Sequence, residues 1–446
     1  MGHAGMWGMS VLLLMGCLLM GCGGEVSGVD AGVADASVDV RADSLPDSAL
    51  PEDASLDATL DARQDADATV EPGDCPPGAF DLGAMTNPNG VTEVVLGTVP
   101  LPTSTDRHVG RTLNESAVFQ ACVPEDIVNV VWIARVANES FVFFVRYREA
   151  GGADIIDSST ILSIDQTVLQ YYNDRPTRGR TRLAPASGLG SISPGVYEFV
   201  IAAEAAEAEF SALVRRGPKP ALNLSLNFVF VEGSTATTAE IDRVFGDTTL
   251  LTTLTGRLGL TIDGIGFGEI DDASFARLDI RTPQTAAIAA ATIRPMPGRP
   301  PPIAGALPVF VTSEVKNSQG CVGGVSPGIP GSLGNPDTFG VALAWSAWRV
   351  NGSIFSEGIW IATAHEIGHW LGLSHTTFRR GQYSDLLNDT PTCPDANDAN
   401  GDGELAPDEC MGFGVNNLMF WAVADLDPVV TDDQRALVEL NFTTGL

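Results

Sequence analysis

Apolar positions follow four successive patterns along the chain. Val11 to Met20 is a short apolar run, broken by Gly16 and Cys17 and too brief to span a bilayer. Up to Asp74, Ala, Ser and Val then fill gaps between acidic residues, with no aromatic residue. From Cys75 to about Lys219 the apolar residues become β-branched and aromatic. Strands are predicted over Val128–Ile133, Phe141–Val145 and Val196–Ile201, separated by Gly, Pro and Asn/Asp turns. An all-β, sandwich-like domain over 75–219 fits this pattern. From 220 onward the pattern mixes. Leu222–Val231 reads as a strand. Thr237, with Glu240 three residues later, opens a helix as a capping box. Val309–Val311 gives another strand, Gly323–Gly334 is a Gly/Pro-rich loop, and Ile354–Leu373 contains an apolar helix. The expected class over 220–446 is therefore α+β, with a long helix and an irregular C-terminal part.

The first apolar run ends in Leu19-Met20-Gly21-Cys22, which resembles the lipobox of bacterial lipoproteins. That resemblance implies a signal peptide over 1–22 and lipidation of Cys22. Leu14-Met15-Gly16-Cys17 fits less well, and no Lys or Arg precedes the run. Residues 23–74 read as a disordered tether, with 14 acidic residues against Arg41 and Arg63. Asp35, Asp39, Asp43 and Asp47 recur every fourth residue, which would stack like charges on a helix face. A flexible chain of this length spans roughly 40 Å.

Composition narrows the partners. The chain has 446 residues, 44% of them hydrophobic, and a net charge of −31. That charge and the lack of a basic stripe exclude binding nucleic acid through its phosphates. An exported protein, anchored at a bacterial outer membrane or cell surface and otherwise secreted, is expected.

The chemistry concentrates in His365-Glu366-Ile367-Gly368-His369-Trp370-Leu371-Gly372-Leu373-Ser374-His375. His365 and His369 share one helix face and can reach one metal ion. Gly372 lets the chain turn back so that His375 supplies a third nitrogen. Three histidines leave the fourth position of a tetrahedral zinc open, as catalysis requires. Glu366 stands beside the metal as candidate general base. Only five histidines occur, and three of them fall on this pattern; His108 is read as structural.

The whole motif resembles the metzincin clan of zinc peptidases. Asn417-Leu418-Met419 resembles the Met-turn, in which Met419 would lie beneath the zinc. Asp389-Thr390-Pro391 and Thr431-Asp432-Asp433-Gln434-Arg435 resemble segments of the pappalysin/cytophagalysin family. The resemblance implies endopeptidase activity on a protein or peptide substrate. One departure is Trp421, where family members commonly carry a Tyr that can hydrogen-bond a developing oxyanion. An indole N–H can donate but cannot ionise, so the oxyanion would rest on zinc and one indole or backbone donor, with Tyr383 the nearest tyrosine. The other reading is a cell-surface binding protein with a weakly active or inert metzincin domain.

Asp398 to Glu409 fits a twelve-residue EF-hand loop for calcium. Asp398, Asn400, Asp402 and Glu409 would ligate through side chains and Glu404 through its carbonyl. Cys393 and Cys410 flank the loop and should pair; Cys75 and Cys122 pair within the β-rich domain. Cys321 is left over and expected to be buried, the other reading being a thiol that blocks zinc in a latent form.

Overall fold

The computed structural model describes residues 75–82, 90–108, 111–137, 142–148, 150, 154–156, 180–183, 192–217, 221–279, 284–317, 320–327, 340–379, 381, 385, 387 and 389–443. The signal peptide, Cys22, the tether over 23–74 and Tyr383 lie outside them. Cys75–Leu446 falls within one compact unit.

The N-terminal part is all β. A seven-stranded sheet runs in the order Phe80–Asp81, Phe119–Val123, Gly195–Ala203, Arg111–Glu115, Thr103–His108, with Val142–Arg148 also pairing Gly195–Ala203 and Asp154–Ile156 added to it. A four-stranded sheet runs Gly90–Pro100, Glu207–Arg216, Ile127–Arg135, Arg180–Leu183. The predicted strands are present, two of them longer at both ends. Along Gly195–Ala203, Tyr197, Phe199 and Ile201 are buried while Glu198 and Val200 are less so. That is the two-residue period of a strand with one face on a core. Both sheets contribute to that core: Trp132 of the smaller sheet packs 4.9 Å from Phe199 of the larger, ring to ring. Cys75–Cys122 ties the chain onto the Phe119–Val123 strand.

From residue 223 on, no described strand is shared with those two sheets. A six-stranded sheet runs Arg294–Pro295, Thr261–Ile270, Asn223–Val231, Leu307–Thr312, Val341–Ala344, Gly324–Val325. Its four central strands are parallel and its two outer ones antiparallel. Leu307–Thr312 is buried along its whole length, as a parallel strand covered on both faces must be. Thr237 caps the Thr238–Phe245 helix, with the reciprocal Glu240 bond of a capping box in place.

The Ser356–Trp370 helix crosses one face of this sheet, and every residue from Gly358 to Trp370 is buried. A helix apolar on all sides has to be enclosed. Trp360 locks it in place, with its ring 5.9 Å from that of Phe228 and 5.0 Å from that of Phe245. His365 and His369 are therefore carried by a helix enclosed over most of its length.

Candidate metal centre

The helix sets two histidines on one face, and its end sets the third. Gly372 has φ 94°, a backbone state that a side chain resists. The Gly372 N–H donates to the His369 carbonyl at 2.8 Å and the Leu373 N–H to the Gly368 carbonyl at 2.9 Å. Those two bonds form a Schellman motif, which closes the helix and reverses the chain. His375 then returns to the helix face. Its Nε2 lies 3.1 Å from Nε2 of His365 and 3.0 Å from Nε2 of His369.

The other ring nitrogens decide what this convergence means. His365 Nδ1 lies 2.7 Å from the Leu418 carbonyl oxygen, and His369 Nδ1 lies 2.7 Å from that of Leu373. A carbonyl only accepts, so each Nδ1 carries the hydrogen and each Nε2 presents a lone pair. His375 has at most one hydrogen on Nε2 for two lone pairs. Hydrogen bonding cannot satisfy all three nitrogens; a divalent metal ion can. Zinc suits imidazole ligands of this kind, and backbone carbonyls commonly orient them. Burial holds the pKa of His365 down to about 4. Burial, then the neighbouring His365, hold that of His369 down to about 3. His375 is depressed by burial and both neighbours. The neutral rings that ligation requires are thus the stable ones.

Met419 is fully buried beneath the helix. A Cβ on Gly368 would lie 2.7 Å from its sulfur, so the glycine makes the close approach possible. The turn is clamped from below. Asn417 and Gln434 exchange two side-chain amide hydrogen bonds of 3.0 Å, and Asn417 Oδ1 also accepts the Met419 N–H at 2.8 Å. Gln434 accepts the Thr431 N–H while Thr431 accepts that of Gln434, a capping box that starts the Asp432–Thr443 helix. The Thr431-x-x-Gln434 spacing was the signal for this clamp; its pairing with Asn417 had none.

Glu366 is 6% exposed, and burial raises its carboxyl pKa to about 8, offset in part by a hydrogen bond from the Ser326 backbone. A cation at the three nitrogens would lower it again. Asp385, absent from the sequence reading, lies close by: its N–H donates to the His375 carbonyl at 2.9 Å. Burial lifts its carboxyl to about 7, against the hydrogen bond from Thr390.

Two expectations need correction. Trp421 is not a donor for an oxyanion, because its indole N–H is spent on the Leu405 carbonyl at 2.9 Å. The Arg379 guanidinium lies 5.6 Å over the Trp421 ring and 2.6 Å from Glu404. Trp421 thus joins the metal floor to the 398–409 loop. Cys321 is not left over; it is half-buried and disulfide-bonded.

In the 398–409 loop the carboxylates fold onto their own backbone. Asp398 accepts from the N–H of Gly401 at 2.7 Å and Gly403 at 2.9 Å. Glu409 accepts from Ala399 at 2.9 Å and Ala406 at 2.8 Å. Asn400 and Asp402 are hydrogen-bonded to each other at 3.0 Å, and Glu404 offers its side chain to Arg379. Among the described residues, His365, His369 and His375 form the one cluster converging as a metal cage would. Cys393–Cys410 closes the loop, its Cα atoms 5.5 Å apart.

No family model and no curated protein matches the chain. Among solved structures, metalloproteinase-II from Bacteroides fragilis is similar at 10% identity and TM-score 0.28, over 52% of this chain and 63% of that one. A family two carbohydrate esterase from Clostridium thermocellum is similar at 10% identity and TM-score 0.12, over 38% and 51%. One from Cellvibrio japonicus is similar at 8% and 0.14, over 50% and 67%. The matches thus span less than two thirds of the first two chains. Likenesses this slight assign no function, which rests on the site itself.

Proposed function

We propose that this chain is an exported zinc endopeptidase whose catalytic unit is residues 220–446, of the metzincin type that its motif resembles. The observation that carries the reading is the convergence of three Nε2 atoms, that of His375 lying 3.1 Å from His365 and 3.0 Å from His369, beside a buried carboxylate. His365, His369 and His375 would hold the zinc, which supplies a Lewis acid that acidifies water and polarises a carbonyl.

The chain's own groups do the remainder. The Leu418 and Leu373 carbonyls fix the tautomer and angle of two ligands. Met419 and the Asn417–Gln434 clamp hold that floor rigid. Glu366 takes a proton from water as the water oxygen bonds to the peptide carbon. It returns that proton to the amine nitrogen as the C–N bond breaks. Burial of Glu366 excludes competing water and strengthens each charge interaction.

The proposal extends to calcium in the 398–409 loop, through Asp398, Asn400, Asp402 and Glu409 and the Glu404 carbonyl. It extends also to a membrane anchor on Cys22. The two described disulfides suit an oxidising compartment outside the cytosol. A second reading, a surface binding protein with a weakly active centre, is favoured by one observation: the committed Trp421 N–H removes a candidate oxyanion donor. Labelled casein separates the two readings. Chelation should abolish cleavage and one equivalent of zinc restore it; zinc-loaded protein that leaves casein intact would favour the second.

A further inference from the structure

The surroundings of Glu366 say how its two oxygens divide their work. Gly324–Val325 is the outermost strand of the six-stranded sheet, paired antiparallel to Val341–Ala344. It lies directly on Glu366: a Cβ on Gly324 would sit 2.8 Å from Oε1 and 2.9 Å from Cγ of Glu366. Gly323 makes a similar approach to Trp348, where a Cβ would lie 2.6 Å from the indole, and the Trp348 N–H holds the Gly323 carbonyl at 3.1 Å. The strand is thus pinned on one side by Trp348 and laid against the carboxylate on the other. Just beyond it, the Ser326 backbone N–H donates to the Glu366 carboxylate. Oε2 is buried and has no hydrogen-bond partner, so the bond falls on Oε1.

We propose that the Ser326 backbone N–H positions Glu366 by holding Oε1, and so assigns Oε2 as the oxygen that takes and returns the proton. This rests on the peptidase reading. A carboxylate turns readily about its terminal torsion, and its two oxygens are otherwise equivalent. An N–H bond to one oxygen stabilises negative charge there and makes it the poorer base. The other keeps its lone pairs for water. The glycines at 323 and 324 are what allow the donor to come this close. In the step itself, Oε2 gains the proton as the water oxygen bonds to the carbonyl carbon. It loses the same proton to the amine nitrogen as the C–N bond breaks.

Ser326→Pro deletes the donor. The preceding Val325 is already in a strand, the conformation a following proline favours. The full-length zinc-loaded protein would be assayed on one fluorogenic peptide chosen from its casein cleavage sites. A fall in kcat of about 10- to 100-fold is expected, with KM within about 2-fold, since misplacing a reacting group costs that much. Zinc content should stay at the parent value. Gly324→Ala, which crowds the same carboxylate, should show the same split and decides the matter if Ser326→Pro does not fold. Ser326→Ala keeps the N–H and should lose less than Ser326→Pro.

A readout without turnover is the melting temperature of zinc-free protein, where Ser326→Pro and Glu366→Ala should be non-additive because they remove one contact. Unchanged kcat, an equal loss in Ser326→Ala, or additive melting shifts would overturn the inference while leaving the peptidase reading intact. A zinc-loaded parent that cleaves nothing would overturn both.

Discussion

Nδ1 of His365 meets the carbonyl oxygen of Leu418 at 2.7 Å, across 53 residues of sequence. The bond runs from the helix that carries the ligands to the turn beneath them, so the geometry of the metal centre depends on how that turn is held. The next residue, Met419, fills the space under Gly368, and its own carbonyl accepts the Thr376 N–H at 3.0 Å, directly after the third histidine. Ligand orientation and core packing are here one structure.

Shortening Met419 tests that link. Met419→Ala should cost about 2–5 kcal/mol of stability, as buried truncations do, and loosen His365. Chelator competition should show zinc affinity lowered by about 10- to 100-fold, the usual cost of losing an orienting contact. Met419→Leu preserves volume and should cost under about 1.5 kcal/mol. Equal zinc affinity in all three proteins would detach the turn from the metal centre.

The zinc-free protein should show two opposed pH effects. His365 and His369 have folded pKa values of about 4 and 3 against an ordinary 6.5, so the unfolded chain binds more protons across that interval. Their contribution to stability is present above 6.5 and is lost as pH falls through 4 and 3. Glu366 runs the other way, with a folded value of about 8 against 4.5. Its contribution is present below 4.5 and is lost as pH rises through 8. Glu366→Gln should remove the second trend only. Melting temperature against pH, on zinc-free parent and variant, would show the two curves converging on the parent's loss; parallel curves would contradict the assigned shift.

Much of the centre was legible because it is local. His365, His369, Gly372 and His375 announce themselves by spacing, since a helix and its closing turn are set by near neighbours. The capping box at Thr237 follows the same logic. What escaped was non-local or backbone in origin. The Leu418 and Leu373 carbonyls and the Ser326 N–H have no side-chain signature, and Gly324–Val325 joins the sheet out of sequence order. Trp421 was legible as a donor, but its acceptor, Leu405, lies 16 residues back and is set by how the acidic loop folds.

Calcium should raise the melting temperature and slow self-cleavage. Loss of that gain in Glu409→Gln, with zinc content unchanged, would locate the effect in the 398–409 loop. Its Cys393–Cys410 closure is worth roughly 3 kcal/mol in the chain-entropy model, so reduction should lower stability separately. A melting temperature indifferent to calcium would leave Asp398–Glu409 an acidic loop and nothing more.

The membrane anchor has its own test. Mass spectrometry of the mature N-terminus is expected to show acylated Cys22, and an unmodified N-terminus elsewhere would make residues 23–74 a plain spacer.

The most direct measurement is Glu366→Ala, assayed for zinc and for casein cleavage on the same preparation. The three histidines remain, so zinc should stay at one per chain. The base is gone, so cleavage should fall by at least about 100-fold. A variant that cleaves as fast as the parent, or a parent that holds no zinc, would contradict the account.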